Sequence, residues 1–259
     1  MSSLNPETSC VLSWIANDGV VPDCCAVIVA GGDGTRFGHA GGKQLVEVCG
    51  LPMVSWSVLA FEAAPSVAHI VVVCPEERLE ATQRACTEAI NPTTPVSFAL
   101  SGERRQDSCY NGLAAVPAEL PFVAIHDGAR PLITCETIER VVGAVRSDMS
   151  LAGAICGQPS VDTLKLVEDQ LVVATPDRSL YWCVQTPQVF RVADLSAAYE
   201  RAKREGYEGT DDASLVERNG GRVLCVESPR DNLKLTVPED LVVIEAILSA
   251  RIVDAACGR

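Results

Sequence analysis

Apolar residues in this chain fall in short, dense runs separated by stretches with a helical period. CCAVIVA (24–30), HIVVVC (69–74), VSFAL (96–100), FVAIH (122–126) and LAGAIC (151–156) are runs of strand length, and their near-continuous apolarity is that of strands buried on both faces. Between them, PMVSWSVLAFEAA (52–64), PEERLEATQRACTEAI (75–90), SCYNGLAAV (108–116) and CETIERVVGAV (135–145) space their apolar residues as helices do. The alternation predicts an α/β fold, a Rossmann-like, mostly parallel sheet with helices on both faces.

The rhythm changes between about 158 and 185. QPSVDTLKLVEDQLVVATPDRSLYWCVQTPQ holds two short strand-like runs parted by Glu168 and Asp169, which predicts an inserted β-hairpin arm and not another strand–helix unit. Helices are then expected over DLSAAYERAKREG (194–206) and TDDASLVERNG (210–220), the latter with an acidic start and a glycine stop. A strand RVLCVE (222–227) and a last helix PEDLVVIEAILSA (238–250) complete the pattern. With no internal repeat or linker, one domain spanning 24–254 is expected, preceded by an appendage over 1–23.

Composition narrows the chemistry. The chain is 259 residues long, 47% hydrophobic and 21% charged, as in folded globular proteins. No apolar run is long enough to span a bilayer, and the N-terminal stretch lacks the basic start of a secretory signal. The twelve cysteines are scattered without metal-ligand spacing, several inside apolar runs, so reduced thiols are expected over disulfides or zinc. A formal charge of −13 argues against nucleic acid or an anionic membrane as partner. It also makes the four lysines, Lys43, Lys165, Lys203 and Lys234, informative; all but Lys203 border predicted strands in turn-rich segments.

In parallel sheets ligands sit beyond the carboxyl ends of the strands. Three polar segments belong there: AGGDGTRFGHAGGKQ (30–44), SGERRQDS (101–108) and HDGARP (126–131). The first nearly matches a dinucleotide fingerprint, but that fingerprint needs a helix to open at its third glycine, and no helical pattern begins before Pro52. A P-loop fails because Gln44 stands where Ser or Thr should follow the lysine. What remains is a long loop whose backbone N–H groups make an anion nest, with Arg36 and Lys43 as spaced cations able to face one phosphate chain. That is the equipment of nucleotidyl transfer, in which fixed cations stabilise charge building on the attacked phosphorus.

AGGDGTRFG followed by KQ resembles the signature of the glycosyltransferase-A-like cytidylyltransferases. SGERRQDS, HDGARP, VDTLK, TPDRS, QTPQVF, TDDASLVE and DNLKLTVPEDL occur in the order seen in the 2-C-methyl-D-erythritol 4-phosphate cytidylyltransferase family, over about residues 24 to 250. The resemblance implies transfer of the cytidylyl group of CTP to that polyol phosphate, with release of pyrophosphate, in non-mevalonate isoprenoid precursor synthesis. It also implies a Mg²⁺-dependent cytoplasmic enzyme that dimerises through the arm. Ribitol-5-phosphate cytidylyltransferase shares the glycine loop, QTPQ and the lysine strand and is the alternative; TPDRS and TDDASLVE look more like the methylerythritol family.

Carried over residue by residue, the resemblance makes Arg36, Lys43 and Lys234 the catalytic cations on the CTP phosphates. Backbone groups of Ala30 and Gly31, with Gly32 and Gly34 of the loop, would hold the nucleotide, while Gly102, Glu103 and Ser108 surround cytosine and ribose and Arg105 supports their loop. Asp127 is the expected nucleotide-side carboxylate and Mg²⁺ ligand. His126 is read as structural, because the attacking phosphate is already ionised, and Arg130 as a brace. Thr163 and Arg178 of the arm would contact the polyol phosphate from the neighbouring subunit, joined by Thr186. Three residues depart from the family pattern: Gly42 stands for a usual proline, Gly128 for a usual alanine and Gly31 for a frequent alanine. All three are expected to loosen backbone near the nucleotide.

Overall fold

The computed structural model describes residues 19–32 and 42–257. Most of the expected appendage, together with Gly34 and Arg36, lies outside the described residues. The strands in chain order are β1 (Cys24–Val29), β2 (Glu47–Val48), β3 (Leu51–Pro52), β4 (Val67–Cys74), β5 (Val96–Leu100) and β6 (Phe122–Asp127). They continue with β7 (Gly153–Pro159), β8 (Leu166–Glu168), β9 (Leu171–Ala174), β10 (Trp182–Arg191) and β11 (Val223–Glu227). The α-helices are α1 (Met53–Glu62), α2 (Leu79–Gln83), α3 (Arg105–Ala114), α4 (Cys135–Ser147), α5 (Val192–Glu205), α6 (Asp212–Arg218) and α7 (Pro238–Ala256).

Seven strands form one sheet in the order β11-β7-β10-β6-β1-β4-β5. All pair in parallel except β10, which runs antiparallel to both β6 and β7. Strand β1 lies inside the sheet, and its side chains alternate between two cores. Cys24, Ala26 and Ile28 pack with α1, α4 and α7, whereas Cys25 and Val27 pack with α3, α5 and α6. This two-residue period puts helices on both faces, as the sequence predicts. Buried cysteines fill β1 as small hydrophobes, and burial pushes the thiols of Cys25 and Cys86 up to about 12, which keeps them protonated and inert.

Local chemistry sets the helix ends. Thr134 accepts a hydrogen bond from the Thr137 N–H at the start of α4, and Ile138, Val141, Val142 and Val145 give that helix its buried stripe. Asp211 caps α6 through the Ser214 N–H at 2.9 Å. The stretch expected as one helix over 75–90 is instead a 3-10 turn (Glu76–Arg78), α2 and a π-helical turn (Arg84–Glu88). Within it the Thr87 hydroxyl donates to the Gln83 carbonyl, a bond that competes with regular helical pairing.

Two strand features depart from expectation. Strand β10 continues past the arm to Arg191, where no strand was predicted over 186–191. Pro187 masks it, since proline belongs at strand edges or bulges; here it lies in the register gap between Val184 and Gln188. The arm itself is present as the β8–β9 hairpin, turned by Asp169 and Gln170, both at positive φ (47° and 67°).

Candidate active site

The carboxyl ends of β1, β4, β5 and β6 open into a cleft of about 530 Å³, and Gly32, Lys43, Gly102, Glu103, Asp127 and Lys234 stand in its wall. A second hollow of about 440 Å³ adjoins it and shares Arg105, Asp127 and Lys234. The site is therefore two lobes meeting at one carboxylate. Asp127 is placed there as the last residue of β6, a strand buried along its whole length.

The Asp127 carboxylate is ringed by cations. Lys234 Nζ donates to Oδ2 at 2.6 Å, Arg105 Nε and Nη2 lie 3.4 Å from Oδ1, and Arg130 Nε is 4.0 Å from Oδ2. Burial alone would raise the carboxyl pKa. The charges of Arg105 and Lys234, with the hydrogen bond from Lys234 and the charge of Arg130, outweigh burial and hold it below the usual carboxylate range. Arg105 reaches onward, donating from Nη1 to Asp212 Oδ2 at 2.9 Å, and Asp212 in turn accepts from the Tyr199 hydroxyl. Burial works against the Arg105 charge, but Asp212 and Asp127 more than offset it and raise its pKa.

Two lysines distant in sequence meet on one wall. Lys43 Nζ donates to the carbonyl of Leu235 at 2.8 Å, the residue after Lys234. The Leu235 N–H donates to the Ala129 carbonyl, so the lysine segment is stitched to the loop that follows Asp127. Arg130 Nη1 adds a bond to the Asn232 carbonyl at 2.8 Å. An overall acidic chain thus gathers Lys234, Arg105 and Arg130 around one deep carboxylate, with Lys43 in the wall of the same cleft, a local field suited to a polyanion.

His126 is fully buried behind this wall. Its Nε2 lies 3.2 Å from the Arg130 carbonyl, so Nε2–H donates and Nδ1 accepts from the Thr186 hydroxyl at 3.2 Å. Thr186 Oγ1 also accepts from the Asp127 N–H at 3.0 Å. Burial lowers the His126 pKa to about 4, leaving a neutral ring with both nitrogens engaged. The histidine is a strut that fixes the backbone of Asp127, as the sequence reading holds.

The other predicted residues divide clearly. Gly31, Gly32, Gly102, Glu103 and Ser108 line the first lobe, with Ala30 one step behind in the wall; Thr186 lines the second. The Ser108 hydroxyl accepts from the Gly102 N–H at 3.0 Å and orders that turn. Thr163 and Arg178 belong to the arm and are not among the residues lining either lobe; Arg178 Nη1 donates to the Val161 carbonyl at 2.6 Å. Sequence reasoning gave Arg105 only a supporting part and missed Asp212 altogether. The signal was a buried acid inside TDDAS, unreadable without knowing which aspartate turns inward.

The expectation that Gly31 and Gly42 loosen the backbone is overturned. A Cβ at Gly31 would stand 2.6 Å from the Ser101 Cβ, so glycine there allows two segments to touch. Gly42 has φ +80°, where proline cannot go, and a side chain would overlap the Arg78 guanidinium. Gly128 is milder, a Cβ meeting the Val29 carbonyl oxygen at 3.2 Å.

A divalent ion finds a partial donor set here. Among the described residues no group of three or more His, Cys, Asp or Glu could hold a metal. A single deep carboxylate beside a cationic wall nevertheless suits Mg²⁺, which takes one or two protein carboxylates and fills its shell with water and substrate phosphates.

Residues 24–250 match the profile of the IspD family, 2-C-methyl-D-erythritol 4-phosphate cytidylyltransferase. A protein of that name from Caldanaerobacter subterraneus is 41% identical over 224 residues, covering 86% of this chain and 97% of its own. Another from Synechocystis is 39% identical, over 87% of this chain and 96% of its own. The Thermus thermophilus crystal structure of a 2-C-methyl-D-erythritol 4-phosphate cytidylyltransferase superposes with a TM-score of 0.69 at 31% identity, covering 86% and 98% of the two chains. A 4-diphosphocytidyl-2C-methyl-D-erythritol synthase from Anaerococcus prevotii reaches a TM-score of 0.77 at 25% identity over 87% and 98%.

Proposed function

This chain belongs to the IspD family of 2-C-methyl-D-erythritol 4-phosphate cytidylyltransferases, and from that premise we propose that the two-lobed cleft around Asp127 is where its reaction occurs. The enzyme transfers the cytidylyl group of CTP to 2-C-methyl-D-erythritol 4-phosphate, giving 4-diphosphocytidyl-2-C-methyl-D-erythritol and pyrophosphate in isoprenoid precursor synthesis. The relatives carry the methylerythritol name and none of those described above a ribitol one, so the ribitol phosphate alternative falls away. The observation that carries the site assignment is the convergence of Lys234 and Arg105 on one carboxylate between the lobes, with Lys43 tied to the Leu235 carbonyl in the same cleft wall.

CTP occupies the lobe walled by Gly31, Gly32, Gly102 and Ser108, and the polyol phosphate the lobe that reaches Arg130 and Thr186. A phosphate oxygen of the acceptor forms a bond to the α-phosphorus while the bond from that phosphorus to the bridging α–β oxygen breaks, and pyrophosphate leaves with the electron pair. Negative charge grows on the non-bridging oxygens, and Lys43 and Lys234, with Arg36 from the glycine loop, stabilise it. The acceptor phosphate is already ionised and needs no base, in keeping with a neutral His126 whose two nitrogens are taken. Asp127 would be the protein ligand of a Mg²⁺ ion, which when bound would neutralise charge on the phosphates.

A homodimer joined through the arm accounts for Thr163 and Arg178. Both stand outside their own chain's cleft, on an arm that exposes Leu171 and Val172 by 72% and 60%, and the arm of a second copy would bring them to the acceptor lobe. The cytoplasm suits an enzyme whose described cysteines are free thiols. Mixing the protein with CTP, Mg²⁺ and either polyol phosphate, and following pyrophosphate and the CDP-alcohol by phosphorus NMR, tests the function. Product with the methylerythritol phosphate and none with ribitol 5-phosphate is expected; the reverse would overturn it.

A further inference from the structure

The turn after β4 carries an arginine to which the chemistry above assigns nothing. Arg78 lies at the end of the 3-10 turn Glu76–Arg78, three residues beyond Pro75, which lines the nucleotide lobe. Its side chain is only 13% exposed, with Glu77 Oε1 at 3.8 Å from Nε. From there it reaches both described ends of the glycine loop. Nη1 donates to the Gly32 carbonyl at 3.4 Å. The same guanidinium fills the hollow over Gly42, where a Cβ would overlap Nη1 and stand 3.1 Å from Cζ.

Gly32 ends the segment leaving β1 in the nucleotide lobe, and Gly42 immediately precedes Lys43. One planar group therefore sets the distance between the backbone that holds the nucleotide and the lysine that serves its phosphates. Gly42 completes the fit from the other side. Its φ of +80° turns the chain so that Lys43 faces the Leu235 carbonyl, and the absent side chain leaves room for the arginine.

We propose that Arg78 is a positioning residue for CTP, a clasp that closes the base of the glycine loop on Gly32 and Gly42 and so fixes Lys43. It touches no reacting atom. The proposal rests on the assignment of CTP to this lobe, and its test is separable from that assignment. Wild-type turnover of CTP with methylerythritol phosphate checks the function; Arg78 variants check the clasp.

Arg78→Ala removes a charge-assisted bond and the packing over Gly42, so the KM for CTP should rise by roughly ten- to a hundredfold, the span of 1.5–3 kcal/mol for such a bond. The KM for the polyol phosphate should stay within about twofold, because among the described residues Arg78 is not part of the lining of that lobe, a selectivity that general loosening of the fold would not give. Arg78→Lys keeps the charge and loses the planar group, and should recover only part of the defect. The sharpest reading is a cycle with Gly42→Ala. That change strains the backbone at φ +80° in either background and beside Arg78 adds the overlap with the guanidinium, so its cost to CTP use should be larger beside Arg78 than in Arg78→Ala. An unchanged KM for CTP in a folded Arg78→Ala protein, an equal rise in both KM values, or strict additivity with Gly42→Ala would overturn the clasp.

Discussion

At the scale of single residues, His126 makes a pH-dependent contribution that can be isolated. Its ring is buried and neutral, with a pKa lowered from 6.5 to about 4 by burial. Between those values the unfolded chain binds a proton that the native chain refuses, so stability falls as pH drops from 6.5 towards 4 and the loss is complete below that window. At about 1.4 kcal/mol per unit, the whole window is worth on the order of 3 kcal/mol. Urea unfolding of the wild type at pH 7 and pH 5 should therefore show a larger loss than that of His126→Gln, in which only the smaller contribution of His69, also lowered by burial, remains. Equal losses would show that the histidine is not the group concerned. The histidine and Asp127 are legible because they end a buried strand, and Lys43 and Lys234 because they are two of only four lysines and each sits inside a distinctive motif. Arg78 and Arg105 are not, since surface arginines after a turn are common. What distinguishes these two is a three-dimensional fact: one fills the absence of a side chain at Gly42, and the other spans two buried aspartates.

Among elements, the strand–helix alternation of the first two-thirds reads directly, because strands buried on both faces leave unbroken apolar runs. Strand β10 does not read, since it is half arm and half sheet and contains Pro187. By composition the glycines read as slack, whereas at positions 31 and 42 they are points of close packing; composition alone does not separate the two. The arm carries a run of exposed apolar side chains. A two-stranded hairpin is marginal by itself, and β8 and β9 hold Leu166, Val167, Leu171, Val172 and Val173 at least half exposed. Such a surface calls for a partner. Leu171→Lys should shift sedimentation from dimer to monomer and depress turnover through the acceptor, while CTP binding persists, because the nucleotide lobe is built within one chain. Wild-type sedimentation as a monomer with full activity would contradict the arm's role.

Over the whole molecule, the proposed site brings four distant segments together at the carboxyl ends of the strands. Lys43 arrives from the glycine loop, Arg105 from the start of α3, Asp127 from the tip of β6 and Lys234 from the segment before α7. Parallel strands β1, β4, β5 and β6 place their carboxyl ends together, and the Lys43–Leu235 and Leu235–Ala129 bonds draw the last segment in. This separation explains why one motif alone was ambiguous and why eight in order were not. It also defines the decisive measurement, which is single-turnover pyrophosphate release from CTP and 2-C-methyl-D-erythritol 4-phosphate by wild type and by Lys234→Ala. If Lys234 stabilises the charge that forms at the α-phosphorus, its removal should slow release by about a hundredfold or more with saturating substrates, while the protein remains folded. Release at the wild-type rate would contradict the account.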